Sequence, residues 1–164
     1  MKRLFIVLVS LGFLSSGFAQ RAWKGFTDPE ANFKVLFPGV PQIQTGAERN
    51  LHVFTVRAEA EAYGLSYSDY SPGSDWEKVV DAERDSLVGP LGGKVLSEKR
   101  VSLDGNPGKW VKFSGKDWSG QLELYFVGQR LYFLQAIAAP GSERPQNFAK
   151  FLNSFRLLSK SKAK

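Results

Sequence analysis

The chain has 164 residues, with 22 lysines and arginines against 16 aspartates and glutamates, a net charge of +6, and no cysteine. Without thiols it makes no disulfide, no Cys-based zinc site and no iron–sulfur cluster, so the fold rests on its apolar core. The positive balance is mild and forms no dense basic stripe, so nucleic acid is not an expected partner.

Lys2 and Arg3 precede an apolar run, Leu4 to Leu14, broken only by Ser10 and Gly12. Gly17-Phe18-Ala19 then places small side chains at the two positions a signal peptidase reads. This three-part layout predicts a signal peptide over 1–19 and export to the periplasm or the extracellular medium. The run is shorter than the roughly 20 residues a membrane span needs, so the protein is not expected to be membrane-embedded after cleavage. The mature chain, 20–164, has 145 residues, and losing Lys2 and Arg3 takes the net charge from +6 to +4. One domain is predicted over 20–158, long enough to bury about 68% of its unfolded surface. A basic tail, 159–164, carries Lys160, Lys162 and Lys164.

Along the domain, Phe33, Val35 and Phe37 alternate with Lys34 and Leu36, the period-2 pattern of a strand, and Pro38-Gly39 ends it. Residues 51–70 read as two strands joined near Glu59 to Ala62, with Tyr63, Leu65, Tyr67 and Asp69 on one face. "SDWEKVVDAERDSLVGP" (74–90) predicts a helix. Ser74 and Glu77 form a capping box, Trp76, Val79, Val80, Glu83 and Leu87 form a stripe, and Gly89-Pro90 stops it. "KVLSEKRVSL" and "KWVKF" predict two strands around Asp104-Gly105-Asn106-Pro107-Gly108, which is read as turn chemistry. After the loop Gly115 to Gly120, "QLELYFVG" is a further strand. "LYFLQAIAA" (131–139), apolar on both faces, belongs in the middle of a sheet. Phe148, Phe151, Leu152 and Phe155, at helical spacing, close the domain.

The order "FKVLFPGVPQ", "YGLSYSDY", a helix ending "ERDSL", "GGKVLSEKRVSLDGNPGKW", "RLYFLQAIAA" and "FLNSF" resembles bacterial exported proteins of the PsbP-like type over most of residues 23–158. The resemblance implies an α+β fold: a single domain with a central antiparallel sheet flanked by helices on both faces, a PsbP-like α/β/α sandwich. It also implies accessory, assembly or binding roles rather than catalysis.

The candidate chemistries are few. His52, the only histidine, has no nucleophile elbow to serve, so a catalytic triad is not expected. Asp69, Glu83, Asp85, Glu98 and Glu123 are the carboxylates available to a glycan hydrolase, but their spacing does not pair them. Asp104-Gly105-Asn106 opens like a calcium loop, yet the twelfth position is Gly115 where a bidentate glutamate is needed. No cofactor is expected, and nothing locates a metal. Aromatic residues are the stronger signal. Trp110 and Lys112 lie on one side of their strand, Tyr125 alternates likewise on the next, and Trp118 sits between them. If the strands pair, Trp110 and Tyr125 share a face, which is either covered by a helix or open to a protein, glycan or lipid partner. The expected function is a non-catalytic binding or accessory protein acting on a cell-envelope partner. The alternatives are a carrier of a small ligand or hard cation and a carboxylate-dependent glycan hydrolase.

Overall fold

A computed structural model describes residues 22–158. The expected signal peptide, 1–19, and the basic tail, 159–164, lie outside the described residues.

Among the described residues ten strands and two α-helices follow in chain order, with one 3-10 turn, Glu48–Asn50, before β4: β1 (Lys24–Asp28), β2 (Phe33–Phe37), β3 (Gln42–Gly46), β4 (Leu51–Ala58), β5 (Glu61–Asp69), α1 (Trp76–Val88), β6 (Lys94–Leu103), β7 (Asn106–Ser114), β8 (Ser119–Val127), β9 (Arg130–Ala138), α2 (Pro145–Leu152) and β10 (Arg156–Leu157). Seven strands form one antiparallel sheet in the order β3-β4-β5-β9-β8-β7-β6, and β1-β2-β10 form a smaller one. β9, the strand apolar on both faces, is the central one.

Alternate residues of the large sheet feed two apolar clusters. Val111, Phe113, Leu122, Leu124 and Phe126 pack with Val80 and Val88 of α1. Tyr63, Leu65, Tyr67, Tyr125 and Tyr132 pack with β2 and with Phe148 and Phe151 of α2. The PsbP-like resemblance implies helices on both faces of the sheet. On the α2 face the small sheet packs beside the helix, because β2 buries Phe33, Val35 and Phe37 and pairs with β1 and β10.

Local chemistry explains where the sequence reading needs correcting. The N-cap of α1 is Asp75, whose carboxylate accepts from the amides of Glu77 and Lys78, whereas Ser74 donates to the Ser71 carbonyl. Aspartate is the stronger cap because its charge also meets the positive end of the helix. Phe155 lies beyond α2, not on it, yet it is buried. The turn between β6 and β7 needs only Asp104 and Gly105, at φ 51° and 82°, a two-residue hairpin connection with both residues left-handed. Pro107 and Gly108 belong to β7. Pro107 precedes the β8 ladder, which begins at Gly108, so no ladder bond to β8 is lost there. A Cβ at Gly108 would come within 2.7 Å of the Tyr125 ring and closer still to the Leu124 carbonyl, so glycine is required by close approach.

Candidate functional site

In β6, β7 and β8 the register sets Lys99 and Glu123 on either side of Trp110, and Ser97 and Gln121 on either side of Lys112. Directly opposed residues in an antiparallel sheet share a face, so these six lie together. Trp110 is half-buried and belongs to neither apolar cluster. The Lys99 ammonium lies 5.0 Å from its ring centroid, a cation–π contact. Lys94 opposes Ser114 and so has the same facing. Lys94, Lys99 and Lys112 are exposed and form no ion pair among the described residues.

The four aromatic and basic residues singled out in the sequence therefore separate. Trp110 and Lys112 reach the surface. Tyr125 shares their face but is buried, stacked on Phe155 with centroids 6.1 Å apart, and donates to Glu123 at 2.9 Å. Trp118 is half-buried in the turn before β8, its carbonyl accepting from the Gly115 amide. The Trp110–Tyr125 face is thus covered at Tyr125 and open at Trp110. Glu123 forms its floor: burial raises its carboxyl above the usual range, countered by the Tyr125 hydroxyl and the positive charges of Lys99 and Arg156.

The helix-covered side of the same strands handles charge differently. Lys109 is 5% exposed and meets Asp81 at 2.6 Å and Glu98 at 3.2 Å. Burial alone would lower its ammonium, but these two carboxylates raise it. Arg84 joins Asp81, Asp85 and Glu98, and Arg100 joins Glu77. Charges on this side are matched internally, whereas the lysines around Trp110 are not. Sequence reasoning missed Lys99. It was within reach, because pairing outward from a two-residue Asp104-Gly105 turn sets Lys99 opposite Trp110.

A second locus lies at the other end of β5 and β9. Asn32, Asp69, Val127, Gln129, Arg130 and Tyr132 line an open cleft of about 370 Å³. Arg130 grips Asp69 through Nε at 2.6 Å and Nη2 at 3.0 Å, which, with smaller help from Asn50, holds that carboxyl below its usual range. The Asn50 amide donates to Asp69 at 3.0 Å, and its oxygen lies 3.1 Å from His52 Nε2. His52 in turn stacks on Tyr67, over whose ring Arg130 also lies. Of the other carboxylates considered for hydrolysis, Glu83 accepts from Tyr70 and Arg49, Asp85 and Glu98 both meet Arg84, and Glu123 is the buried floor described above. Among the described residues no group of three or more histidines and carboxylates is arranged to hold a metal ion, and no helix is long and apolar enough to cross a membrane.

No model of a known protein family matches the chain, and no curated protein matches it. Solved structures do. The solution structure of the cyanobacterial PsbP (CyanoP) of Synechocystis sp. PCC 6803 matches with a TM-score of 0.63 and 11% identity, covering 88% of this chain and 98% of that one. A Pseudomonas aeruginosa protein of unknown function, described as a putative regulator, matches with a TM-score of 0.43 and 11% identity over 72% of this chain and 83% of its own. A structure from Bacteroides thetaiotaomicron matches at 0.45 and 11%, over 84% of this chain and 49% of its own. An antiparallel seven-stranded sheet with two helices, superposing on CyanoP across nearly its whole length, identifies this chain as one with a PsbP-like fold.

Proposed function

We propose that the protein is an exported, non-catalytic binding or accessory protein of the cell envelope, and that its partner docks on the Trp110 face. We read its layering, with α1 on one face and α2 with the small sheet on the other, as the sandwich expected from the sequence. The observation that carries the docking reading is Trp110 itself. A large, half-buried tryptophan outside both apolar clusters, with Lys99 against its ring and Lys112 two residues along on the same face, neither in an ion pair among the described residues, is the kind of side chain that anchors an interface. Crosslinking of the mature protein in a native envelope extract, at low and high salt, tests this. A discrete adduct is expected, and Trp110→Ala should lower its yield about tenfold or more, as loss of a hot spot does. An adduct indifferent to Trp110→Ala, or none at either salt, overturns the reading.

The cleft beside Arg130 supports a second reading, a small-ligand carrier. A saturable rise in melting temperature with a bound metabolite, abolished by Arg130→Ala, would establish it, because a ligand that binds only the folded state stabilises that state. A flat thermal-shift profile across a metabolite panel would retire it.

A further inference from the structure

The outer edge of the large sheet at β6 runs alongside the Trp110 face. Among the described residues β6 has no neighbour beyond it, and its residues 94–100 are all exposed. Val95 and Leu96, 41% and 58% exposed, are two of the four large exposed apolar side chains among the described residues. From Ser97 to Leu103 the strand keeps unbroken register with β7, so its outward backbone groups form a regular row. Such a row is a template for another strand.

Charge decides which strand. On the α1 side Glu98 is held by Arg84 and Lys109, and Arg100 by Glu77. On the Trp110 side Lys94, Lys99 and Lys112 are unmatched by ion pairs among the described residues. The buried Glu123 lies beneath this face, and Glu143, which feels Lys112 at a distance, accepts from Ser119 and the Gly141 amide. A second copy of β6 would add its own Lys94 and Lys99 to a face that already carries Lys94, Lys99 and Lys112, and like charges are destabilising where they come to oppose each other. The irregularity between Val95 and Ser97 further disfavours edge-to-edge pairing of copies. An acidic strand meets neither obstacle beyond Ser97 and would draw Lys99 off the Trp110 ring, freeing that ring for contact. Repulsion of self and attraction of an acidic chain are two sides of one specificity device.

Resting on the docking reading above, we infer that β6 receives an extended acidic segment of a partner protein, added as an eighth strand along residues 97–103 with its acidic side chains over Lys99 and Lys112.

The probe is a synthetic decapeptide of alternating glutamate and threonine, compared with its lysine-for-glutamate counterpart by amide NMR and hydrogen exchange on the mature protein. Saturable shifts and slowed exchange at 97–103 with the acidic peptide alone are expected. The triple variant Lys94→Glu, Lys99→Glu, Lys112→Glu should reverse the preference. Shifts scattered over the lysines without slowed exchange, or equal binding by the triple variant, would overturn the inference. So would protection of β6 by self-association without peptide, or shifts produced only by anionic vesicles. A partner that still crosslinks through Trp110 while β6 stays unprotected would leave the docking reading standing and remove strand addition.

Discussion

Asp69 and Glu123 are carboxylates of the same sheet displaced in opposite directions by their surroundings. Arg130 lowers Asp69, so its contribution to stability is present above the unfolded-state value of about 3.9 and is lost as pH falls through the folded value. Burial raises Glu123, so its cost appears as pH rises from about 4.3, the unfolded value, toward the folded one and persists above it. Asp69→Asn should therefore destabilise the protein at pH 7, and Glu123→Gln should stabilise it. At about pH 3 the Glu123 difference should be near zero, because its carboxyl is then neutral in folded and unfolded chains alike, whereas the Asp69 difference should be smaller than at pH 7 and vanish only once pH falls through its lowered folded value. Urea melts at the two pH values check both signs; a Glu123→Gln variant less stable than wild type at pH 7 would show that the carboxylate's bonds outweigh its burial. Positive φ at Arg49 and Asn50 marks the same end of the sheet. Their side chains reach Glu83 and Asp69 from that left-handed turn, so two long-range contacts hold a backbone conformation that is costly for residues other than glycine.

Among the elements, α1 tests the difference between reading a motif and measuring a bond. Asp75→Ala should cost about 1 kcal/mol, the usual worth of an N-cap, while Ser74→Ala should cost less than half of that. Chemical denaturation of the two variants separates them, and equal losses would restore Ser74 to the cap. Strong periodicity was legible: β2, β4, β5, β9 and α1 each show their period and their stop signal in the residues. β1, β3 and β10 were not. "KGFTD" and "QIQTG" hold few apolar residues, and β10 is two residues long, so each is a strand only because a neighbour supplies the ladder. Phe155 shows the same limit. Its spacing from Phe148 fits a helix, but the chain leaves the helix at Asn153 and Phe155 enters the core from an extended segment. The candidate site was half legible. Alternation placed Trp110 and Lys112 together, but that Phe155 covers Tyr125 depends on a contact thirty residues away in sequence that no local pattern announces.

For the whole molecule, the C-terminal segment is a clasp. β10 pairs with β2, Ser154 Oγ accepts from the Leu36 amide, and Phe155 packs against Phe33, Tyr125 and Tyr132. Glu61, buried on β5, accepts from the Arg144 amide and from Asn147, so the sheet caps the helix whose own first residue provides no cap. Phe155→Ala should cost about 3–5 kcal/mol, the range for a buried aromatic replaced by alanine, and expose Tyr125 to solvent. Equilibrium unfolding and tyrosine fluorescence measure both; a loss below about 1 kcal/mol would mean that the cluster repacks around the gap.

The central seam carries a consequence for biosynthesis. β5 ends at Asp69, but the strand that covers its inner edge begins at Arg130, sixty-one residues later. While the ribosome makes that stretch, the nascent chain holds a β4–β5 hairpin rich in Tyr63, Leu65 and Tyr67 with one flank open. Open, apolar flanks recruit wrong partners, so translation speed between α1 and β9 governs how long the chain is vulnerable. Slowing codons placed there should raise the insoluble fraction in pulse-labelled cells, whereas the same codons placed after Ala138 should leave it unchanged.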